Sequence, residues 1–134
     1  MNRSDTPDWD VLLTSARAIL QRAYAPYSKF QVGAAVLTES GHVYAGCNVE
    51  NLSYGLTCCA ERSAIATAIG AEGPGLRLRA VAVVSEPELP CSPCGACRQV
   101  LLEFGRDALV RYRGEDGPVT RSVEELLPDA FASF

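Results

Sequence analysis

Five of the chain's six cysteines are crowded into two short stretches, TCCAER at residues 57–62 and PCSPCGACRQ at residues 90–99. Each stretch runs into a segment with helical periodicity, so two thiol-rich helix starts must be accommodated by whatever fold forms. In the second stretch Cys94, Cys97, Leu101 and Phe104 fall on one helical stripe with Val100 beside it, which predicts that both thiols point inward from the first turn. Pro93 suits the entry to that turn and leaves Cys91 outside the helix. Two thiolates one turn apart can hold one ion at Zn–S distances of about 2.3 Å. The free N–H groups and partial positive charge of a helix N-terminus lower thiol pKa values and so favour the ligating form. Against this stands the plainer reading of small buried core residues. In the first stretch, spacing puts Cys58 and Glu61 on one face, so periodicity does not choose between Cys58 and Cys59.

Other classes are poorly matched by the rest of the chain. Its 134 residues, 48% apolar and 21% charged, are the size and composition of one globular domain. A net charge of −4 with scattered Arg and Lys gives no basic track to neutralise phosphates, so no nucleic-acid partner is expected. No apolar run approaches the roughly 20 residues that span a bilayer, and no membrane partner is expected. The opening MNRSDTPDWD has no apolar signal core, which predicts a cytoplasmic location. Cysteines kept there are expected to be thiols or ligands rather than disulfides.

Along the chain, Thr6-Pro7-Asp8 reads as a helix start, and the stripe Trp9, Leu12, Leu13, Ala16, Ile19, Leu20, Ala23 extends it until Pro26. FQVGAAVLT and HVYAGCNVE read as a hairpin joined by the polar turn ESG. A helix is predicted over 59–69, stopped by Gly70. LRAVAVVS (78–85) is apolar on both faces like a central strand, a helix follows over 94–104, ALVRYR (108–113) is a further strand, and SVEELLP a short capped helix. Strand–helix–strand order in the second half predicts parallel pairing, while the hairpin is antiparallel. Val43, Ala45, Cys47 and Val49 share one strand face, which predicts that Cys47 is core. Asn48 and Glu50 share the other, where an amide and a carboxylate could bind neighbouring hydroxyls. The plain reading of that pair is a polar strand end, and of His42 a solvated turn residue.

Cys59-Ala60-Glu61 at one helix start and Pro93-Cys94-Gly95-Ala96-Cys97 at another together form the three-cysteine signature of zinc nucleoside and nucleobase deaminases. Three protein ligands leave a fourth position open, as in catalytic zinc sites. The blocks AYAPYSKFQVGAAV, GCNVEN, SYGLTCCAERSA, PCGACRQV and EELLPDAF, in that order, resemble the small homotetrameric cytidine deaminases from about Ala23 to Phe131. The resemblance implies an α/β fold, a three-layer α/β/α sandwich around a five-stranded mixed sheet, spanning 1–134 as a single domain. It implies one Zn²⁺ per subunit on Cys59, Cys94 and Cys97, with Glu61 as proton shuttle and Arg62 hydrogen-bonding the ligand sulfurs. It also implies a small-molecule nucleoside substrate, cytidine or deoxycytidine, hydrolysed to the uracil nucleoside and ammonia in pyrimidine salvage. Phe30, Asn48, Glu50 and Ala60 match substrate-binding positions, and Tyr54 and Phe131 match aromatics that reach a neighbouring subunit's site. Cys58 and Cys91 lie outside the family pattern and read as free thiols. The alternatives are a zinc deaminase of another aminopyrimidine nucleoside and a zinc-stabilised interaction module in which Cys58 or Cys91 completes a closed set. Phe131 and Phe134 supply apolar surface that association would cover.

Overall fold

The computed structural model of the chain describes residues 6–133; Phe134 and residues 1–5 of the N-terminal stretch lie outside the described residues. Helix α1 spans Trp9–Leu20. Its cap is Asp8, the last residue of the predicted Thr6-Pro7-Asp8 start, whose side chain accepts from the Val11 N–H at 3.3 Å. The helix also stops short of Pro26, because Tyr24 instead forms an isolated bridge with Val49. Strands β1 (Gln31–Thr38) and β2 (Val43–Cys47) make the expected hairpin. Helix α2 spans Ala60–Glu72 and α3 Gly95–Phe104, on either side of β3 (Leu78–Glu86) in the chain. The polypeptide ends with β4 (Leu109–Gly114), β5 (Gly117–Ser122) and the four-residue helix α4 (Val123–Leu126).

The sheet order is β2-β1-β3-β4-β5. Among the strands of the described residues, β3 and β4 pair in parallel; β1 runs antiparallel to both β2 and β3, and β4 to β5. That arrangement has a direct consequence for function. Because β1 opposes both neighbours, β2 and β3 run the same way, so α2 and α3, which follow them, begin at the same end of the sheet. The carboxyl end of parallel strands is where α/β folds gather their ligands.

Side-chain alternation along β1 divides two cores. Val32, Ala34 and Val36 join Ala64 and Ile65 of α2, Val81 and Val83 of β3, Leu101 of α3 and Val110 of β4 in the larger one. Ala35 and Leu37 face the other way, against Leu12 and Ala16 of α1 and Ala80 and Ala82 of β3. The three-layer sandwich around a five-stranded mixed sheet is therefore present, with helices on both faces. The residue-by-residue reading missed β5, whose GPVTRS carries one large apolar residue and so shows little hydrophobic alternation.

Candidate active site

Both cysteine stretches become helix caps. Cys59 is the N-cap of α2 and Cys94 the N-cap of α3, with Cys97 inside the first turn of α3. The Cys97 N–H donates to Cys94 Sγ at 3.4 Å, so one thiol already satisfies a free amide of that helix end. Cys59 Sγ lies 3.9 Å from Cys94 Sγ, and the sulfurs of Cys59, Cys94 and Cys97 all fall within 4.8 Å of one another. Sulfurs held tetrahedrally at about 2.3 Å from one zinc ion would be about 3.8 Å apart. The cluster fits such an ion closely. Cys97 is fully buried as the helical stripe predicts, whereas Cys94 is exposed. Its position as cap, one residue before the regular helix, turns it away from the core.

Two of these thiols, Cys59 and Cys97, are pushed in opposite directions by their contact. Cys97 donates to Cys59 and, with help from Arg62, draws the Cys59 thiol down to about 5 against the cost of its burial. Cys97 is pushed the opposite way, chiefly by that same hydrogen bond. A divalent cation is what would allow all three to ionise together. Arg62 is half-buried; its Nη2 donates to Cys59 Sγ at 3.4 Å and to the Thr57 carbonyl at 3.3 Å. Its Nε is buried without a hydrogen-bond partner, so the guanidinium is held by its outer nitrogen and by the charge of the sulfurs. Glu61, one position into the helix from buried Ala60, is 5% exposed. Burial raises its carboxyl to about 7, and the Cys59 charge adds to the rise. A group poised near neutrality can both take and give a proton.

The second half of the site comes from the chain that leaves β2. The strand ends at Cys47, so Asn48 and Glu50 sit beyond it and not on it as expected from sequence. They still turn towards one segment, residues 27–32. Asn48 Oδ1 accepts from the Val32 N–H at 2.8 Å and its Nδ2 donates to the Phe30 carbonyl at 2.9 Å. Glu50 accepts from the Tyr27 and Ser28 N–H groups and from the Ser28 hydroxyl. Phe30 is half-buried against the larger core. Tyr27, Ser28, Glu50, Tyr54 and Thr57 line a cavity of about 320 Å³. Tyr54 and Phe131 are 73% and 66% exposed, so neither is enclosed by its own chain.

Residues 8–112 match the family described as the cytidine and deoxycytidylate deaminase zinc-binding region. The chain belongs to that family. A cytidine deaminase of Mycobacterium tuberculosis is 50% identical over 125 residues, covering 92% of this chain and 90% of the relative. One from Sporosarcina psychrophila is 45% identical over 130 residues, 93% and 92% of the two chains. The crystal structure of cytidine deaminase from M. tuberculosis superposes with a TM-score of 0.84 at 44% identity, covering 96% of this chain and all of the other. That from Burkholderia pseudomallei gives 0.82 at 48% identity, with 91% and 98% covered.

Within this deaminase-family site, the remaining thiols are set apart. Cys58 pairs with Val49 across a bridge and places its sulfur 3.4 Å from the Ser63 hydroxyl. Cys91 is half-buried against the larger core; burial first, then the charges of Glu61 and Cys59, push its thiol up to about 11. Neither joins the metal-holding group found among the described residues, so a closed four-sulfur set is not formed. Cys47, expected in the core, is half-buried and belongs to neither core cluster, because β2 is an edge strand. Sequence reasoning gave no role to Arg98, which follows the last ligand candidate. Its Nε donates to the Pro93 carbonyl and its Nη1 to the Leu126 carbonyl, both at 2.7 Å, tying the α3 entry to α4. Gln99 holds the Phe131 carbonyl at 2.9 Å. The signal was an Arg-Gln pair beside a ligand, and only the fold reveals which carbonyls it meets.

Proposed function

We propose that this chain is a zinc-dependent hydrolase that deaminates cytidine and deoxycytidine to the uracil nucleosides, acting as one domain in a homotetramer. The observation that carries the reading is a buried carboxyl, Glu61, two residues beyond Cys59 of a three-thiol cluster of zinc dimensions. Cys59, Cys94 and Cys97 would hold the metal. When bound there, zinc supplies Lewis acidity, which brings the pKa of water towards neutrality. Glu61 would accept a proton from the attacking water and deliver it to N3 of the cytosine ring, which makes C4 electrophilic, and the hydroxide left behind forms the C–O bond at C4. The same carboxyl then takes the proton of that new hydroxyl and gives it to the amine, the C–N bond breaks and ammonia leaves, so one group handles every proton.

Arg62 offsets the excess negative charge of three thiolates on a dication, a net of one, and so preserves the pull on water. Asn48 and Glu50 bind ribose hydroxyls, Phe30 packs on the nucleoside, and the backbone at Ala60 borders the pyrimidine. Tyr54 and Phe131 contribute to a neighbouring subunit's site, in keeping with their exposure. A salvage role in the cytoplasm follows from that substrate class. Among the described residues no helix is long and apolar enough to cross a membrane.

The decisive experiment follows the loss of cytidine absorbance with purified protein and with Glu61→Gln. The variant is expected to bind zinc normally and to lose on the order of 10²–10⁴-fold in kcat, the usual worth of a positioned acid–base group. Activity at the parental level would reject the assignment.

A further inference from the structure

Glu50 carries the ribose reading above, yet no strand ladder fixes its side chain. What fixes it is a short turn of residues 27–30. Its Oε1 accepts from the Tyr27 N–H at 3.0 Å and the Ser28 N–H at 3.2 Å, while Oε2 accepts from the Ser28 hydroxyl. The hydroxyl is itself oriented, because Ser28 Oγ accepts from the Phe30 N–H at 3.0 Å across Lys29, which adopts a left-handed conformation at φ 61°. With one lone pair occupied by Phe30, the hydroxyl proton is committed to Glu50. A carboxylate offers about four acceptor positions; three are taken among the described residues, two on Oε1 and one on Oε2. One acceptor on Oε2 remains, on a side chain that lines the 320 Å³ cavity.

Resting on the ribose role of Glu50, we infer that Ser28 is a positioning residue: it locks the Glu50 carboxylate so that a single Oε2 acceptor is presented to one sugar hydroxyl of the nucleoside. Without the Ser28 hydroxyl Oε1 keeps its two backbone N–H partners but Oε2 loses its anchor, so the carboxylate can swing about the Oε1 contacts and its Oε2 acceptor is no longer held in one direction. The loss then falls on substrate binding through the sugar, not on the chemistry at the pyrimidine.

Steady-state kinetics on cytidine and on 2′,3′-dideoxycytidine, which lacks both ring hydroxyls, test this in the zinc-loaded enzyme. Ser28→Ala is expected to raise KM for cytidine about tenfold with kcat within about twofold, the pattern of lost uniform binding. KM for the dideoxy substrate should change little, and Ser28→Thr should restore the cytidine value. In a Glu50→Ala background, Ser28→Ala should add nothing, because the pair acts as one unit. An equal loss on both substrates, or an additive loss in the double variant, would show a general loop-folding role and overturn the inference. If Glu50→Ala raises KM for cytidine and Ser28→Ala does not, the Ser28 role alone is lost. If Glu50→Ala leaves that KM unchanged, the ribose reading itself fails and takes the Ser28 role with it.

Discussion

Arg62 shows how little contact a charge needs in order to matter. It reaches the thiol cluster through one nitrogen at 3.4 Å, and its other anchor is a single carbonyl of Thr57. Removing it leaves all three sulfurs in place but withdraws the positive charge that balances them. Arg62→Ala is therefore expected to lower kcat by tenfold or more, on the order of the effect of outer-shell substitutions at metal sites, with zinc content falling less. Metal analysis beside turnover measures both, and unchanged turnover would remove the role. From the sequence, the plain alternative for Arg62 is a solvated surface residue. Its neighbour Glu61 looked like an ordinary first-turn acid until burial to 5% exposure set it apart. The roles proposed for both rest on the motif they share with a family, because charge and spacing alone describe many helix starts.

At the scale of elements, two contacts set how closely helices and turns approach the sheet. A Cβ built on Gly46 of β2 would lie 2.3 Å from Ala64 N and 2.7 Å from Ser63 C, both backbone atoms of α2. No rotamer change relieves a clash with helix backbone, so Gly46→Ala should cost at least about 1–3 kcal/mol, the usual penalty of overpacking. Urea unfolding would report it, together with weaker zinc retention, since α2 carries Cys59 at its tip. The second contact is the hairpin turn. Glu72, in the last turn of α2, accepts from the Thr38 hydroxyl at 2.9 Å and the Ser40 hydroxyl at 2.8 Å, and lies 3.5 Å from His42. Desolvation raises its carboxyl, but the Ser40, Thr38 and Tyr44 hydroxyls and His42 outweigh it, and the net shift is downward. A carboxyl lowered on folding stabilises above its unfolded pKa, and that gain is lost as pH falls through the lowered value. The stability gap between the parent and Glu72→Gln should accordingly be open near neutrality and close under acid conditions, as melting curves across pH will show. Glu72 also explains a boundary misread from sequence: α2 runs past Gly70 to Glu72 and ends at Gly73, where φ is 85° and glycine has a conformational reason to stand.

Across the whole molecule, the thiol cluster is a long-range staple. It joins the tips of two helices that follow different strands and touch one another only slightly along their lengths. A ligand that binds the folded state alone stabilises it in proportion to the logarithm of its excess over Kd. Stripping zinc with a strong chelator should thus lower the melting temperature, and Cys97→Ala should reproduce the stripped value, whereas Cys58→Ala and Cys91→Ala should keep both zinc and stability. Loss of metal from either of the last two would mean that the ligand set is wrong. Exposed Tyr24, Tyr27, Leu52, Tyr54, Leu56 and Phe131 leave a large apolar surface on loops 24–28 and 49–57 and on the C-terminal tail. That surface supports the proposed homotetramer, and native mass spectrometry should find it with one zinc per subunit.

The sequence alone determined the elements and their order apart from β5, because hydrophobic period and helix capping are local: the hairpin, the buried β3, the helices entered by Cys59 and Cys94, and the Ser122 cap of α4. It also supplied the two motifs that name the family. Periodicity did not choose between Cys58 and Cys59, and only the spacing of the signature favoured Cys59; periodicity also placed Cys94 inward and Cys47 in the core. Tertiary structure decided those points. Sulfur positions depend on two helices meeting on one face of the sheet, and the burial of a strand residue depends on which strand is the edge. The hydroxyl of Ser28, lost in a polar loop when read along the chain, gained its meaning only when folding brought Glu50 against it.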